Sequence, residues 1–230
     1  NENPDERNLW YGVREFAMSV IANGIVAHGG TFHYVSTFFV FSDYLKAGLR
    51  LSALSHIPLT YVFTHDSVAV GEDGPTHQPI EQLATIRSIP NVVMLRPADA
   101  NEVRLSSKIA LESKDNPVVI VLTRQNVKNL KETEDLDDIS KGAYIIKDSC
   151  KKKPDGILIA TGSEVELALE TKEELKKSDI DVRVVSMPSM ELFRKEDESY
   201  KEEILPSEIE NRVSIEMASS FGWKEFTGSK

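Results

Sequence analysis

The chain has 230 residues, a formal net charge of −10 and a single cysteine, Cys150. The acidic balance argues against a nucleic acid or anionic membrane held on a broad basic face. The lone cysteine excludes an internal disulfide and fits a reducing compartment, the cytoplasm, and no run of roughly 18 apolar residues is present to span a bilayer. The opening NENPDERNLW is polar, does not resemble a signal peptide and lacks a starting Met, so it reads as part of a longer chain. VREFAMSVIANGIVAH (13–28) has helical spacing and stops at Gly29 and Gly30. FFVFSDYLKAGLRLSALS (38–55) reads as a second helix, ended before Pro58. PLTYVFT (58–64), NVVMLR (91–96) and PVVIVLT (117–123) are continuous apolar runs, the pattern of strands buried on both faces of a parallel sheet. Helical segments lie between them at 81–88 and 100–113. The charged stretch KNLKETEDLDDISKG has little apolar periodicity and anchors a linker placed at 128–148. Strands at 156–162, 181–187 and 212–217, with a helix at 164–177, make a second α/β unit. Ser163 and Glu166 are spaced as a capping box at the start of that helix. The expected fold is α/β: two successive domains, 1–127 and 149–230, each a mainly parallel sheet flanked by helices.

In such sheets, ligands bind beyond the carboxyl ends of the strands. Those ends deliver His65 and Asp66, then Arg96, then Arg124, Gln125 and Asn126, and finally Ser163. Histidine can donate to or accept from hydroxyls, and arginine can clamp a phosphate through two parallel bonds. The set suits an anionic, hydroxylated small molecule, although most rim arginines make structural ion pairs. The stretch THDSVAVGEDGPTHQP (64–79) follows an apolar strand and is dense in ionisable groups. Its GEDGP is a tight loop. Pro79 suits the first turn of the next helix, which would set His77 at that helix's N-terminus, where the dipole favours the neutral imidazole. Phe38, Phe41 and Tyr44 recur at helical spacing, and core packing is the default reading of such a face.

The wording of these segments carries more than their spacing. THDSVAVGEDGPTHQPIEQLA, with YGVREFAM, GGTFHYVSTFFVFSDYLK, RPADANE, LTRQN, IATGSEVELA and RVVSMP in that order, resembles transketolases along nearly the whole chain. The resemblance implies the latter part of such an enzyme: most of a pyrimidine-binding domain, then a C-terminal domain truncated at its end. It implies thiamine diphosphate as cofactor and transfer of a two-carbon ketol unit from a ketose phosphate to an aldose phosphate, in the pentose phosphate pathway. Glu15 then matches the glutamate that hydrogen-bonds N1′ of the aminopyrimidine. Phe38, Phe41 and Tyr44 match the aromatic residues around that ring, with Phe41 as stacking partner. His65 and Arg124 are expected at the sugar phosphate, Asp73 at a substrate hydroxyl, and His77 near the reacting hydroxyls. His28, His33 and His56 match no such role, Asp66, Glu72 and Arg96 are expected to support the loop, and Ser163 is expected to cap a helix.

The family's GDG…Asn motif, which holds the Mg²⁺ or Ca²⁺ bridging the cofactor's phosphates, does not occur here. The resemblance therefore implies metal ligands outside this chain and a homodimer built through the pyrimidine-binding domain. The missing N-terminal half is expected in cis or in trans, and the chain alone is not expected to hold metal and cofactor tightly. An engineered domain, a proteolytic fragment and one subunit of a split enzyme all fit. A β-type subunit of a 2-oxo acid dehydrogenase would lack GEDGPTHQP, His65, His77 and Arg124. A non-catalytic dimerising fragment and a formaldehyde-using relative of transketolase stay open as alternatives.

Overall fold

The β-branched apolar runs become the strands of two four-stranded sheets. The computed structural model describes residues 7–228; the polar opening at 1–6 and the last two residues lie outside it. In the first unit the order is α1 (Glu15–His28), β1 (Tyr34–Phe38), α2 (Ser42–Leu54), β2 (Thr60–Thr64), α3 (Gln82–Arg87), β3 (Val93–Leu95), α4 (Ala100–Glu112) and β4 (Val118–Val121). All neighbours in the sheet β1-β2-β4-β3 are parallel. Met18 and Ala22 of α1 and Leu45 and Leu49 of α2 pack with Tyr61 and Phe63 of β2 in one core cluster. Leu105 and Ala110 of α4 pack with Val93, Leu95, Val118 and Ile120 in another. Period-two strands therefore bury both faces, which is why the runs are continuous and not alternating.

The second unit runs β5 (Tyr144–Lys147), β6 (Ile157–Ala160), α5 (Glu164–Lys176), β7 (Arg183–Ser186), α6 (Met190–Lys195), α7 (Glu198–Ile204), β8 (Arg212–Ile215) and α8 (Lys224–Thr227). Its order is β5-β7-β6-β8, with β6 parallel to both neighbours and β5 antiparallel to β7. Among the described residues, no helix is long and apolar enough to cross a membrane.

Four local expectations are corrected. The segment 38–55 is not one helix: Phe38 ends β1, a 3-10 turn covers Phe39–Phe41, and α2 starts at Ser42. The stretch read as a linker, 128–148, contains β5, which pairs with β7 and belongs to the second sheet. Pro79 and His77 do not open a helix. His77 closes a 3-10 turn at Pro75–His77, with Pro75 as the proline in its first position, and α3 begins only at Gln82. Ser163 makes no capping-box hydrogen bond, because its hydroxyl donates to Glu164 Oε1 at 2.6 Å.

Candidate active site

The carboxyl ends of β1 and β2 lie side by side, with Phe38 in register with Thr64. Residues just past these ends therefore share one rim. His65 follows β2 with φ of +61°, a left-handed conformation unusual for a residue with a Cβ. That turn lays its ring on Phe38, with centroids 3.6 Å apart and planes inclined by 23°. Phe38 stands nearly parallel to Phe41 at 6.3 Å. Phe41 in turn meets Tyr44 at 6.3 Å and takes the edge of His77 at 5.4 Å. Five of the eight residues singled out from the sequence thus form one continuous ring cluster. The imidazoles are oriented locally: His65 Nδ1 pairs with Thr64 Oγ1, and His77 Nδ1 with Thr76 Oγ1, each at 2.9 Å.

The other three are placed near this rim without joining the ring contacts. Glu15 is the first residue of α1 and half-buried. Helix α1 reverses into β1 through residues 29–33, which directs the helix's start toward the end of the sheet where Phe38 sits. Asp73 is exposed in the turn that Gly74 N–H closes on the Gly71 carbonyl at 3.3 Å. Arg124 is exposed just past β4, the neighbour of β2. The loops are tied together, because the Gln125 side-chain amide donates to the Ala69 carbonyl. Of the histidines without a match, His28 and His56 are exposed, and His33 pairs with the Tyr11 hydroxyl at 3.2 Å. Among the described residues there is no cluster of three or more His, Cys, Asp or Glu able to hold a metal ion.

Beneath the rim lies a charged network that the sequence reading reduced to loop support. Arg96, just past β3, is fully buried. Its Nε donates to Asp66 Oδ2 at 2.8 Å, and its Nη1 donates to the Thr161 carbonyl and hydroxyl, each at 2.9 Å. Nη1 and Nη2 grip the Glu164 carboxylate from two sides. Burial alone would lower the guanidinium pKa, but the carboxylates of Asp66 and Glu164 outweigh it and raise it. Beside it, Glu216 accepts from Arg87 at 2.8 and 2.7 Å, from Thr161 Oγ1 at 2.6 Å and from Trp223 Nε1 at 2.9 Å. Against the upward push of burial, Arg87 and Arg96 hold its pKa down at about 2. The only sequence signal for this network was its residue types: an arginine ending an apolar strand and a glutamate opening a helix.

Residues 1–129 match the family model of the transketolase pyrimidine binding domain, and residues 142–230 match that of the transketolase-like C-terminal domain. A transketolase of Bacillus subtilis is 54% identical over 224 residues, which cover 96% of this chain and 34% of that protein. A crystal structure of a Pichia stipitis transketolase in complex with sedoheptulose-7-phosphate superposes with a TM-score of 0.87 at 45% identity, covering 94% of this chain and 31% of that one. A split-gene transketolase, solved as an inactive β4 tetramer, superposes with a TM-score of 0.76 at 27% identity, covering 92% of this chain and 66% of that one. The chain spans about a third of the length of the curated relatives it matches.

Proposed function

The chain belongs to the transketolase family, and from that premise we propose that it carries the pyrimidine-facing and sugar-facing half of a thiamine diphosphate-dependent ketol-transfer site. One observation carries the reading: the ring cluster joining His65, Phe38, Phe41, Tyr44 and His77 on a single rim. The near-parallel, half-buried rings of Phe38 and Phe41 offer flat apolar faces, which suit a planar aminopyrimidine. Thiamine diphosphate, when bound, supplies the electron sink for breaking and forming the carbon–carbon bond.

The chain's own groups supply position and protons. Glu15 would hold the pyrimidine by a hydrogen bond at N1′ and keep a proton there. Phe38, Phe41 and Tyr44 stack around that ring and exclude water. His65 and Arg124 bind the phosphate of the sugar, with Arg124 free to offer two parallel N–H donors. Asp73 accepts from a sugar hydroxyl and so favours one stereochemistry. His77 moves a proton at the reacting hydroxyl. The Mg²⁺ or Ca²⁺ and the diphosphate would be held by residues outside this chain, in a diphosphate-binding half present in cis or in trans, and the pyrimidine-binding domain would form the homodimer. The setting is the cytoplasm and the pentose phosphate pathway.

The test is ketol transfer from a ketose phosphate to an aldose phosphate with thiamine diphosphate and Mg²⁺, run with this chain alone and with a diphosphate-binding half added. Turnover in the mixture alone is the expected result. A folded, cofactor-loaded complex without turnover would reduce the chain to a dimerising fragment.

A further inference from the structure

The second sheet has a crevice of the kind that binds ligands in open α/β folds. At its centre β6 is flanked by β7 on one side and β8 on the other, so the connections diverge at the carboxyl end of β6. Thr161, Gly162 and the start of α5 lie there, with Glu216 just past β8. No small molecule is needed to fill this place, because the guanidinium of Arg96 enters it from the first unit. A Cβ on Gly162 would fall 2.6 Å from Arg96 Cζ. Backbone bonds lock the two strand ends together: Arg96 N–H donates to the Pro188 carbonyl at 2.9 Å, and Gly162 N–H to the Arg96 carbonyl at 3.0 Å.

The other end of Arg96 reaches the candidate active site. Asp66 is buried, and its Oδ1 has no hydrogen-bond partner. Its Oδ2 meets only Arg96, through Nε at 2.8 Å and Nη2 at 2.7 Å. Among the described residues the guanidinium is therefore the carboxylate's sole tether. Asp66 directly follows His65, whose left-handed backbone persists only while its surroundings hold it. That backbone sets the His65 ring on Phe38. Without the tether, an unpaired buried carboxylate must move toward water, and His65 moves with it.

We propose that Arg96 is a positioning residue for His65, and that the crevice of the second unit serves as the socket fixing that arginine. From the proposed function this takes only that His65 faces the sugar phosphate. The test reads the ring geometry directly, by ¹³C-labelled histidine NMR on the full 230-residue chain. The His65 Hε1 signal, assigned by its loss in His65→Gln, is shifted by the Phe38 ring current. Arg96→Lys keeps the charge but not the fork. It should move the His65 signal toward that of the exposed His28 and leave His28 unchanged. Glu164→Gln weakens the socket's grip on Arg96 without changing any residue of the first unit, and it carries the same test if Arg96→Lys does not fold. A folded variant with an unshifted His65 signal overturns the proposal. In the enzyme completed by a diphosphate-binding half, Arg96→Lys should raise the KM for a ketose phosphate about 10- to 100-fold, with a smaller effect on an unphosphorylated ketose. A moved His65 signal with unchanged KM would uphold the positioning and remove His65 from the phosphate site, so the two readings fail separately.

Discussion

Arg124 and Arg96 are both arginines at strand ends, yet their surroundings assign them opposite uses. Arg96 is fully buried among carboxylates, whereas Arg124 is exposed. An exposed guanidinium on the rim that carries His65 is available to an incoming anion. Arg124→Ala should therefore leave stability within about 0.5 kcal/mol of the parent. In the completed enzyme it should raise the KM for a ketose phosphate about 10- to 100-fold, the loss expected for about 1.5–3 kcal/mol of charge-assisted hydrogen bonding. Steady-state kinetics with phosphorylated and unphosphorylated ketoses decide the matter. Equal losses for both would assign Arg124 to the loop scaffold.

At the scale of elements, the turn between β6 and α5 is the tightest junction. Gly162 has φ of +57°, and a Cβ there would meet Arg96 Cζ, Nε and Nη1 at 2.6 to 2.8 Å. A side-chain end is usually free to retreat, but this one is buried and ion-paired. Gly162→Ala should cost about 1–2 kcal/mol for the left-handed backbone and about 3 kcal/mol more for prising a buried pair apart. Gly30→Ala is the control: φ is +86° and nothing lies within 4 Å, so only the backbone term should appear in denaturant midpoints. The same junction shows what a sequence conceals. Inner strands were legible because burial on both faces writes a continuous apolar run. The edge strand β1 was not, since its exposed Tyr34 and Ser36 alternate with buried Val35 and its aromatic end merges into the following helical pattern. Strand β5 was missed because Tyr144–Lys147 follows a charged stretch and is half-exposed. The ring cluster was legible in its members, though not in its geometry: Phe38 and Phe41 sit on a strand end and a 3-10 turn, not on a helix face. The Arg96 network left no local pattern, because its partners are 30 and 68 residues away.

The two units meet along a seam of buried polar groups, so part of the molecule's pH dependence should be written there. Glu216 is held at about 2, well below its ordinary 4.5, because Arg87 and Arg96 outweigh the opposing effect of burial. A carboxyl depressed by folding stabilises the native state above its unfolded pKa, and that stabilisation is lost as pH falls through the folded value. The window is therefore about pH 4.5 down to about 2, and the full shift is worth on the order of 3 kcal/mol. Glu102 acts in the opposite sense. Burial raises its pKa, although its carboxylate accepts from Tyr144 and Ser186 at 2.7 Å and from Ala98 N–H at the same distance. Its ionised form is thus disfavoured by folding, and acidification relieves that cost. Glu216 should carry the seam's share of the acid limb, beside Asp181, which its Lys172 hydrogen bond also holds well below the ordinary carboxylate range, while Glu102 acts only above about pH 4.5. Glu216→Gln tests this, since it keeps the shape but removes the titration. At neutral pH the variant should be less stable by about 3 kcal/mol or more, because Arg87 is left unpaired in the seam. Its stability should then fall less steeply in acid, so that the two curves converge near pH 2. Urea unfolding at a series of pH values measures both slopes, followed by the fluorescence of Trp223, whose indole N–H donates to Glu216 Oε1 at 2.9 Å. Parallel slopes would place the acid sensitivity elsewhere and show that the seam does not set it.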